Sequence, residues 1–594
     1  MKKIRLIGAG ALLCIATIGA VHAAEDIHNS LEVRRKQLDS LIAEQWEYTL
    51  RTFPEMASMI GDKRYNDRLS DFSQLAIDAN NAADAAFLKR FQAIDTTGFP
   101  VQEALNQKLM VRTLQMNLDG VRFKEWEMPV SQTSGIHIDA AQIVPMLTFE
   151  TVKDYEDYLA RLQQLPIVFD QTIVQMRNGM RDHLMPPQFL IPKIARQAHD
   201  IAALAPDASP FAEPLQRFPA AVSLTDRTRL RSAILAAITH EVAPAYQKFS
   251  EFTAIDYAPL GRKEVGLWAL PDGAARYRYQ VRQSTTTEQT PEQIHQIGLS
   301  EVRRIETLMT SVAAKLGYPD QKSFQLSLAN NPAVHPVSRQ ALLDLYRKYT
   351  DQMYQQLPQL FTVMPKSKII IAQIETFREQ EASAAQYNSG TPDGSRPGRV
   401  MINTGDFAKR TTIGVETTAL HEGVPGHHMQ ISIAQEQQNL PPFRQQGNYT
   451  AFAEGWALYA ERLGEERGFY SDPYSNYGHL QDEMLRAIRL VVDTGLHDRK
   501  WTRQQVVDFF HAHSGIDEVD VQSETDRYIV WPGQALGYKI GQLKILALRD
   551  YAKEQLGDRF DLRAFHDEVL GAGALPMDVL EARIREWVTA CKAG

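Results

Sequence analysis

A mainly α-helical fold with a small β-sheet is predicted for this chain of 594 residues. Three observations predict it. Apolar residues recur at three- and four-residue spacing over long stretches, as in LEVRRKQLDSLIAEQWEYTL, which marks a helix with one buried face. Strong helix formers (Ala, Leu, Gln, Glu, Arg) are spread throughout. Only two short runs read as strands, SKIIIAQI (367–374) and RVMINTGD (399–406).

In chain order, MKKIR followed by LIGAGALLCIATIGAV and VHA has the charged, apolar and small-residue regions of a secretory signal, with cleavage expected before Ala24. The apolar run is short for a membrane span, and Leu13 before Cys14 is too large for the usual lipid-attachment context. Helical spacing then runs from about Ile27 to Arg90, over 103–125 and over 151–185, with a turn-rich break at MPVSQTSGIHIDAAQIVPMLTF. Prolines in 185–193 and 204–219 break helices. Residues 225–255 and 291–317 are helical again, the latter opening on Thr290 as N-cap with Pro291 in the first turn. Residues 384–398, rich in Gly, Pro, Asn and Ser, read as a loop between the two strands. After 410 the pattern is helix upon helix. Residues 24–594 thus make one large helical unit, with 24–270 and 271–594 as possible halves.

The composition is ordinary for a globular protein, 44% hydrophobic and 23% charged. Removing residues 1–23 loses Lys2, Lys3 and Arg5 and takes the formal charge from −8 to −11. A mildly acidic surface argues against a nucleic-acid partner, which needs concentrated positive charge. No second long apolar run is present, so stable membrane insertion is not expected of the mature chain. Of the two cysteines, Cys14 lies in the signal, and Cys591 alone makes no internal disulfide and no thiolate metal site.

HEGVPGHH (421–428) resembles the zinc-protease motif H-E-x-x-H with its second histidine displaced. In a continuous helix His421 and His427 would sit about 9 Å apart along the axis and His428 about 10.5 Å. Neither spacing suits one ion bound at 2.0–2.1 Å. Pro425 and Gly426 permit a break that brings a second histidine back beside His421. Glu422 occupies the place of the general base. A third ligand is required, and Glu454, among Phe452, Ala453, Trp456 and Ala457 in AFAEGWALYAERL, is the candidate, since a carboxylate in apolar company needs a cation. Glu461, seven residues on, is held in reserve. His511 and His513 of FFHAHSG read as a helix end rather than a second metal pair.

HEGVPGHHMQ, AFAEGWALYAERL and YIVWPGQALGYKIG together resemble the bacterial family called domain of unknown function 885. That family looks like a relative of the helical zinc peptidases that include angiotensin-converting enzyme, the thimet oligopeptidases and thermostable carboxypeptidases. The resemblance covers most of the mature chain. It implies a helical body cleft by a deep groove, with one zinc ion at its floor and the small sheet beside it. It implies His421 as first ligand, Glu422 as base and Glu454 as third ligand. Aligning GHH on the relatives' Gly-His selects His427 as second ligand; aligning the following Met-Gln selects His428; His427 is slightly preferred. Tyr538 matches a tyrosine that faces substrate in the relatives, with core tyrosine as its alternative role and Tyr528 as second choice. Arg489 is a candidate carboxylate clamp, with a structural salt bridge as the favoured alternative. Tyr387 and Asn388 are candidates to line the groove from the loop side.

The function expected is that of a periplasmic or secreted zinc peptidase acting on short peptides. Its rivals are a non-catalytic peptide-binding protein with a degenerate site and a zinc amidase or esterase. The His2Glu donor set favours zinc over other ions.

Overall fold

The computed structural model describes residues 10–328, 330–374, 379, 383–392, 394 and 396–593, with side chains from 30 onward. The signal segment expected at 1–23 lies outside the residues described with side chains. The chain is mainly helical with a three-stranded mixed sheet. It divides into two compact units.

The first unit comprises Met1–Phe53 with Gln74–Arg122. Helices Gly10–Thr52, Gln74–Gln92 and Val101–Val121 build it, and Leu38, Phe91 and Leu109 are fully buried. Tyr48 packs edge-on against Phe87, and Arg35 forks onto Glu103.

The second unit, Pro54–Ser73 with Phe123–Gly594, carries every candidate site residue. The helical pattern read from about Ile27 to Arg90 is broken between Thr52 and Gln74, where Pro54 restarts the chain in a short helix ending at Met59. The helix expected at 291–317 spans Pro291–Lys315; Thr290 caps it as the sequence predicts, and the structure adds Gln293 capping the Thr290 backbone in return. Its Ile294, Gly298, Val302, Ile305 and Met309 form one buried stripe. That stripe meets the helix Pro473–His497, where Gly298 lies against Leu490 and Val491.

The sheet has order β1-β3-β2. β1 (Ile369–Gln373) runs parallel to β3 (Gly398–Ile402), pairing Ile369 with Gly398 and Gln373 with Ile402. β2 (Ala385–Asn388) is antiparallel to β3, pairing Ala385 with Ile402 and Asn388 with Arg399. β2 corrects the sequence expectation of a loop at 384–398. AQYN has no apolar alternation to announce a strand, and tertiary pairing with β3 extends it. One face of the sheet, through Ile371, Val400 and Ile402, packs on Leu342 and Tyr346 of the helix Arg339–Gln356 and on Val415 and Ala419 of the helix Val415–Glu422. The sheet therefore seats the helix that ends in His421 and Glu422.

The other half of the site rests on a crossing between the helices Thr450–Glu466 and Leu536–Leu556. They meet at Gly455 and Gly541. A Cβ on Gly541 would lie 1.8 Å from the Ala451 carbonyl oxygen, so only glycine permits this approach. The crossing fixes Glu454, beside Gly455, relative to Tyr538 near the start of the second helix.

Candidate metal centre

The helix Val415–Glu422 stops at Gly423, and a new helix, His427–Glu436, starts four residues later. Between them the chain folds back through a cis Val424–Pro425 peptide. Gly426 N–H donates to Leu420 O at 3.0 Å. A Cβ on Gly426 would sit 2.0 Å from the His421 carbonyl oxygen, so the two segments touch backbone to backbone. Trp456, fully buried, donates from Nε1 to Pro425 O at 2.8 Å and ties the fold-back to the helix that carries Glu454. The result brings the His421 and His427 rings to 4.8 Å between centres, mutually perpendicular.

His421, His427 and Glu454 form a group whose donor atoms all lie within 4.8 Å of one another, the one such group of three or more among the described residues. Glu454 Oε2 is 3.6 Å from His421 Nε2 and 3.3 Å from His427 Nε2. Oε2 is nonetheless buried without a hydrogen-bond partner of good geometry among the described residues. A tetrahedral ion with bonds of 2.0–2.1 Å holds its ligand atoms about 3.3 Å apart. The two Glu454 separations are close to that spacing and all three donor atoms lie within 4.8 Å of one another, so the group could hold a metal ion.

The electrostatics agree. Burial works against a charge on His421, yet Glu454 and Glu461 together raise its pKa to about 10, with Glu422 adding to the effect. Burial likewise opposes charge on Glu454, but His427 and His421 hold its carboxyl well below the usual range. The cluster thus demands a cation, and a metal ion meets that demand in place of a proton.

Glu461, the reserve ligand, stands on the far side of His421. Its Oε1 lies 2.7 Å from His421 Nδ1 and its side chain is 1% exposed. His421 Nδ1–H donating there leaves Nε2 free to face Glu454, the arrangement in which a carboxylate orients a ligating imidazole. His428 lies outside the group. Its Nε2 is 3.2 Å from Ser367 O, and its Nδ1 accepts from Tyr387 Oη at 3.0 Å. Burial pushes its pKa down to about 4, so it remains neutral. The helix restart at His427 sends consecutive side chains in different directions, so that His427 and not His428 lies in the group that could hold a metal ion.

Glu422 is the last residue of its helix, next to His421, and is partly exposed. Tyr387 and Asn388 sit in β2 and are half-buried. Burial pushes the Tyr387 phenol up to about 12; since its hydroxyl serves His428, its contribution from the sheet side is to brace that histidine. Tyr538 is half-buried; burial first, then the charge of Glu454, raises its phenol pKa, which places its hydroxyl in the field of the metal group. Tyr528 is fully buried, with its hydroxyl donating to Glu524 and accepting from Arg489 Nε at 3.1 Å. Through this hydrogen bond it supports Arg489. Arg489 makes the salt bridge that the sequence favoured, Nη2 to Glu524 at 2.9 Å. His511 pairs with Glu518 and His513 with Glu306, both at helix-end positions. Trp456 was missed by sequence reasoning. Its position two residues after Glu454 was visible, but nothing in one sequence marks an indole as the partner of a distant carbonyl.

Residues 54–584 match the family model described as bacterial protein of unknown function, DUF885. The chain belongs to this family. A crystal structure named as the "putative lipoprotein from Colwellia psychrerythraea" matches with a TM-score of 0.89 at 30% identity, covering 94% of this chain and 99% of that one. A second, named as a "putative lipoprotein of unknown function from Shewanella oneidensis", matches at 0.70 and 16% identity over 92% and 98%, and is similar in fold. No curated protein matches the chain. Among the described residues no helix is long and apolar enough to cross a membrane.

Proposed function

We propose that this DUF885 protein is an exported zinc-dependent peptidase that hydrolyses short peptides in a deep groove. The observation that carries the proposal is the convergence of His421 Nε2, His427 Nε2 and Glu454 Oε2 at zinc-ligand spacing, with a carboxylate, Glu422, following the first ligand. A bound zinc would supply Lewis acidity and one open coordination position for water or the scissile carbonyl. Glu422 takes a proton from the attacking water as its oxygen bonds to the carbonyl carbon, then delivers that proton to the amine nitrogen as the C–N bond breaks. Tyr538 donates its hydroxyl to the oxyanion as it develops. Glu461 keeps the His421 ring in the tautomer and orientation that present Nε2. β2 is an edge strand of the described sheet, which packs on the helix carrying His421, and such an edge suits an extended peptide added as a further strand.

Export is supported by the positively charged and apolar N-terminal segment, and by the names of the two similar structures, both called lipoproteins. The test is elemental analysis of the purified mature protein beside His421→Ala and Glu454→Ala, followed by a peptide screen with Glu422→Gln as control. One zinc per chain, lost in both ligand variants, with peptide hydrolysis abolished by Glu422→Gln, supports the proposal. A wild type without stoichiometric metal after zinc is supplied refutes it.

A further inference from the structure

We infer that Tyr387 joins peptide binding to metal binding: its backbone takes an added peptide strand while its side chain steadies the helix that carries His427, so an extended peptide tightens the hold on the metal. The inference rests on the peptidase proposal above and names a regulation of that site by its own substrate.

A metal-binding histidine is normally aimed by a hydrogen bond at its second ring nitrogen. His421 has one, to Glu461. His427 has none: its Nδ1 is buried without a hydrogen-bond partner among the described residues. The aim of His427 Nε2 therefore depends on how its backbone is held. On one side Trp456 holds Pro425. On the other, His428 holds the first turn of the helix His427–Glu436 to the sheet.

Both ring nitrogens of His428 are spent there. Nδ1 accepts from Tyr387 Oη at 3.0 Å, and Nε2–H donates to Ser367 O at 3.2 Å. The far end of the same helix is tied to the same place, where the Glu436 carboxylate accepts from the Lys366 and Ser367 N–H groups at 2.7–2.9 Å. The contact between Tyr387 and His428 is also closed: a Cβ on Gly398 would strike both Tyr387 Oη and His428 Nδ1. A shift of Tyr387 is thus passed to His428, and so to His427 beside it, rather than lost in a gap.

The backbone of Tyr387 faces the other way. Asn403 N–H donates to Ala384 O at 2.9 Å, which makes these two a hydrogen-bonded pair of the antiparallel ladder between β2 and β3. Bonded and non-bonded pairs alternate in such a ladder. Along the register, Gln386–Met401 and Asn388–Arg399 are then bonded pairs, whereas Ala385–Ile402 and Tyr387–Val400 are not. The N–H and C=O of Tyr387 therefore point away from β3, to the edge where a further strand pairs. A peptide added there fixes Tyr387, and through it His428 and His427. Zinc, by fixing His427, favours peptide binding by the same factor.

The test uses the mature chain with Glu422→Gln, which prevents turnover, and a tetrapeptide pool blocked as N-acetyl amides and free of His, Cys, Asp and Glu. Zinc affinity is read by competition against a chromophoric chelator, with and without the pool. The pool is expected to tighten zinc binding about 5–20-fold. Adding Tyr387→Phe, which keeps the β2 backbone and loses the hydroxyl, should cut that gain below about 2-fold, with the zinc-free unfolding midpoint little changed. A pool N-methylated at alternate residues lacks the strand donors and should give no gain on the Tyr387 protein; it decides the matter if Tyr387→Phe fails to fold. A gain that survives Tyr387→Phe, as when a peptide carbonyl ligates the zinc directly, overturns the inference, and so does an equal gain from the N-methylated pool. Zinc bound but insensitive to peptide counts against this inference alone, whereas absence of stoichiometric zinc counts against the peptidase proposal on which it rests.

Discussion

Replacing Glu461 by Gln removes one charge and changes the side-chain shape little, which makes it a sharp probe of the metal centre. In the wild type the carboxylate sits 2.7 Å from His421 Nδ1, with its side chain almost fully enclosed. Tyr470 Oη donates to the Glu461 backbone carbonyl at 3.2 Å, a contact the substitution does not touch. A glutamine oxygen still accepts from Nδ1–H, so the ring keeps its orientation. What is lost is the charge that makes Nε2 a stronger donor to a cation. Outer carboxylates of this kind contribute about 10–100-fold to metal affinity. Zinc should therefore bind Glu461→Gln about 1.4 to 2.7 kcal/mol more weakly, with one ion per chain retained. The assay is competition against a chromophoric chelator. Glu465→Gln, on the exposed side of the same helix, serves as the unchanged control. A zinc affinity within about 3-fold of wild type would refute the second-sphere role assigned here. Total loss of binding in Glu461→Gln, with binding retained in Glu454→Gln, would make Glu461 the ligand and overturn the geometry of the site.

Glu422→Gln should keep stoichiometric zinc while lowering kcat by at least about 10²-fold, as expected for a general base; unchanged peptide turnover would remove Glu422 from the mechanism. Gly541→Ala places a methyl group on the Ala451 carbonyl, so it should destabilise the protein by about 1–3 kcal/mol and, by moving Tyr538 away from Glu454, lower kcat more than zinc content; chemical denaturation and metal analysis read the two effects. Trp456→Phe removes the hydrogen bond to Pro425 O and leaves that carbonyl unpaired, at a cost of about 1–3 kcal/mol, with weaker zinc binding as its second signature. Asp493 supplies the pH dependence. Burial lifts its carboxyl to about 7 against hydrogen bonds from Tyr277 and Gly533. The folded protein therefore holds a proton that the unfolded chain releases near pH 4, and the stability this provides is present below about pH 4 and lost as pH rises through 7. Asp493→Asn keeps an acceptor for both donors and carries no charge, so its stability relative to wild type should rise between pH 5 and 8, by no more than roughly 4 kcal/mol; parallel denaturation midpoints at the two pH values would refute this.

Helices were legible because a buried stripe imposes a period that survives in composition: the stripe from Ile294 to Met309 and the Thr290 cap both follow from local chemistry. β1 and β3 were legible because short runs there carry β-branched residues, Ile369 to Ile371 in β1 and Val400 with Ile402 in β3. β2 was not, since AQYN becomes a strand only by pairing with a neighbour distant in sequence. Within the site, HEGVPGHH and Glu454 were visible as donor types in the right company. The choice between His427 and His428 was not visible, because it depends on where the second helix restarts, and that is fixed by the contact between Gly426 and the His421 carbonyl. Glu461 was visible as a carboxylate on the right face. Whether it would meet a metal or a ligand's far nitrogen depends on side-chain reach across the packed helices, which spacing alone does not encode.

The inserted turn bears on how a metal site of this kind tolerates a changed motif. In H-E-x-x-H the helix itself sets the distance between the two imidazoles, so the spacing in sequence is the geometry. Here the two histidines belong to different helices, and their approach is set by packing: Gly426 against the His421 backbone, and Trp456 against Pro425. Trp456 and Glu454 share one helix, so the element that supplies the third ligand also clamps the turn that delivers the second. Ligand placement therefore depends on the Thr450–Glu466 helix more heavily than in an unbroken motif, and that helix is in turn located by the Gly455–Gly541 crossing. A substitution at that crossing should act on metal affinity and on Tyr538 together, whereas one at Pro425 should act on His427 alone.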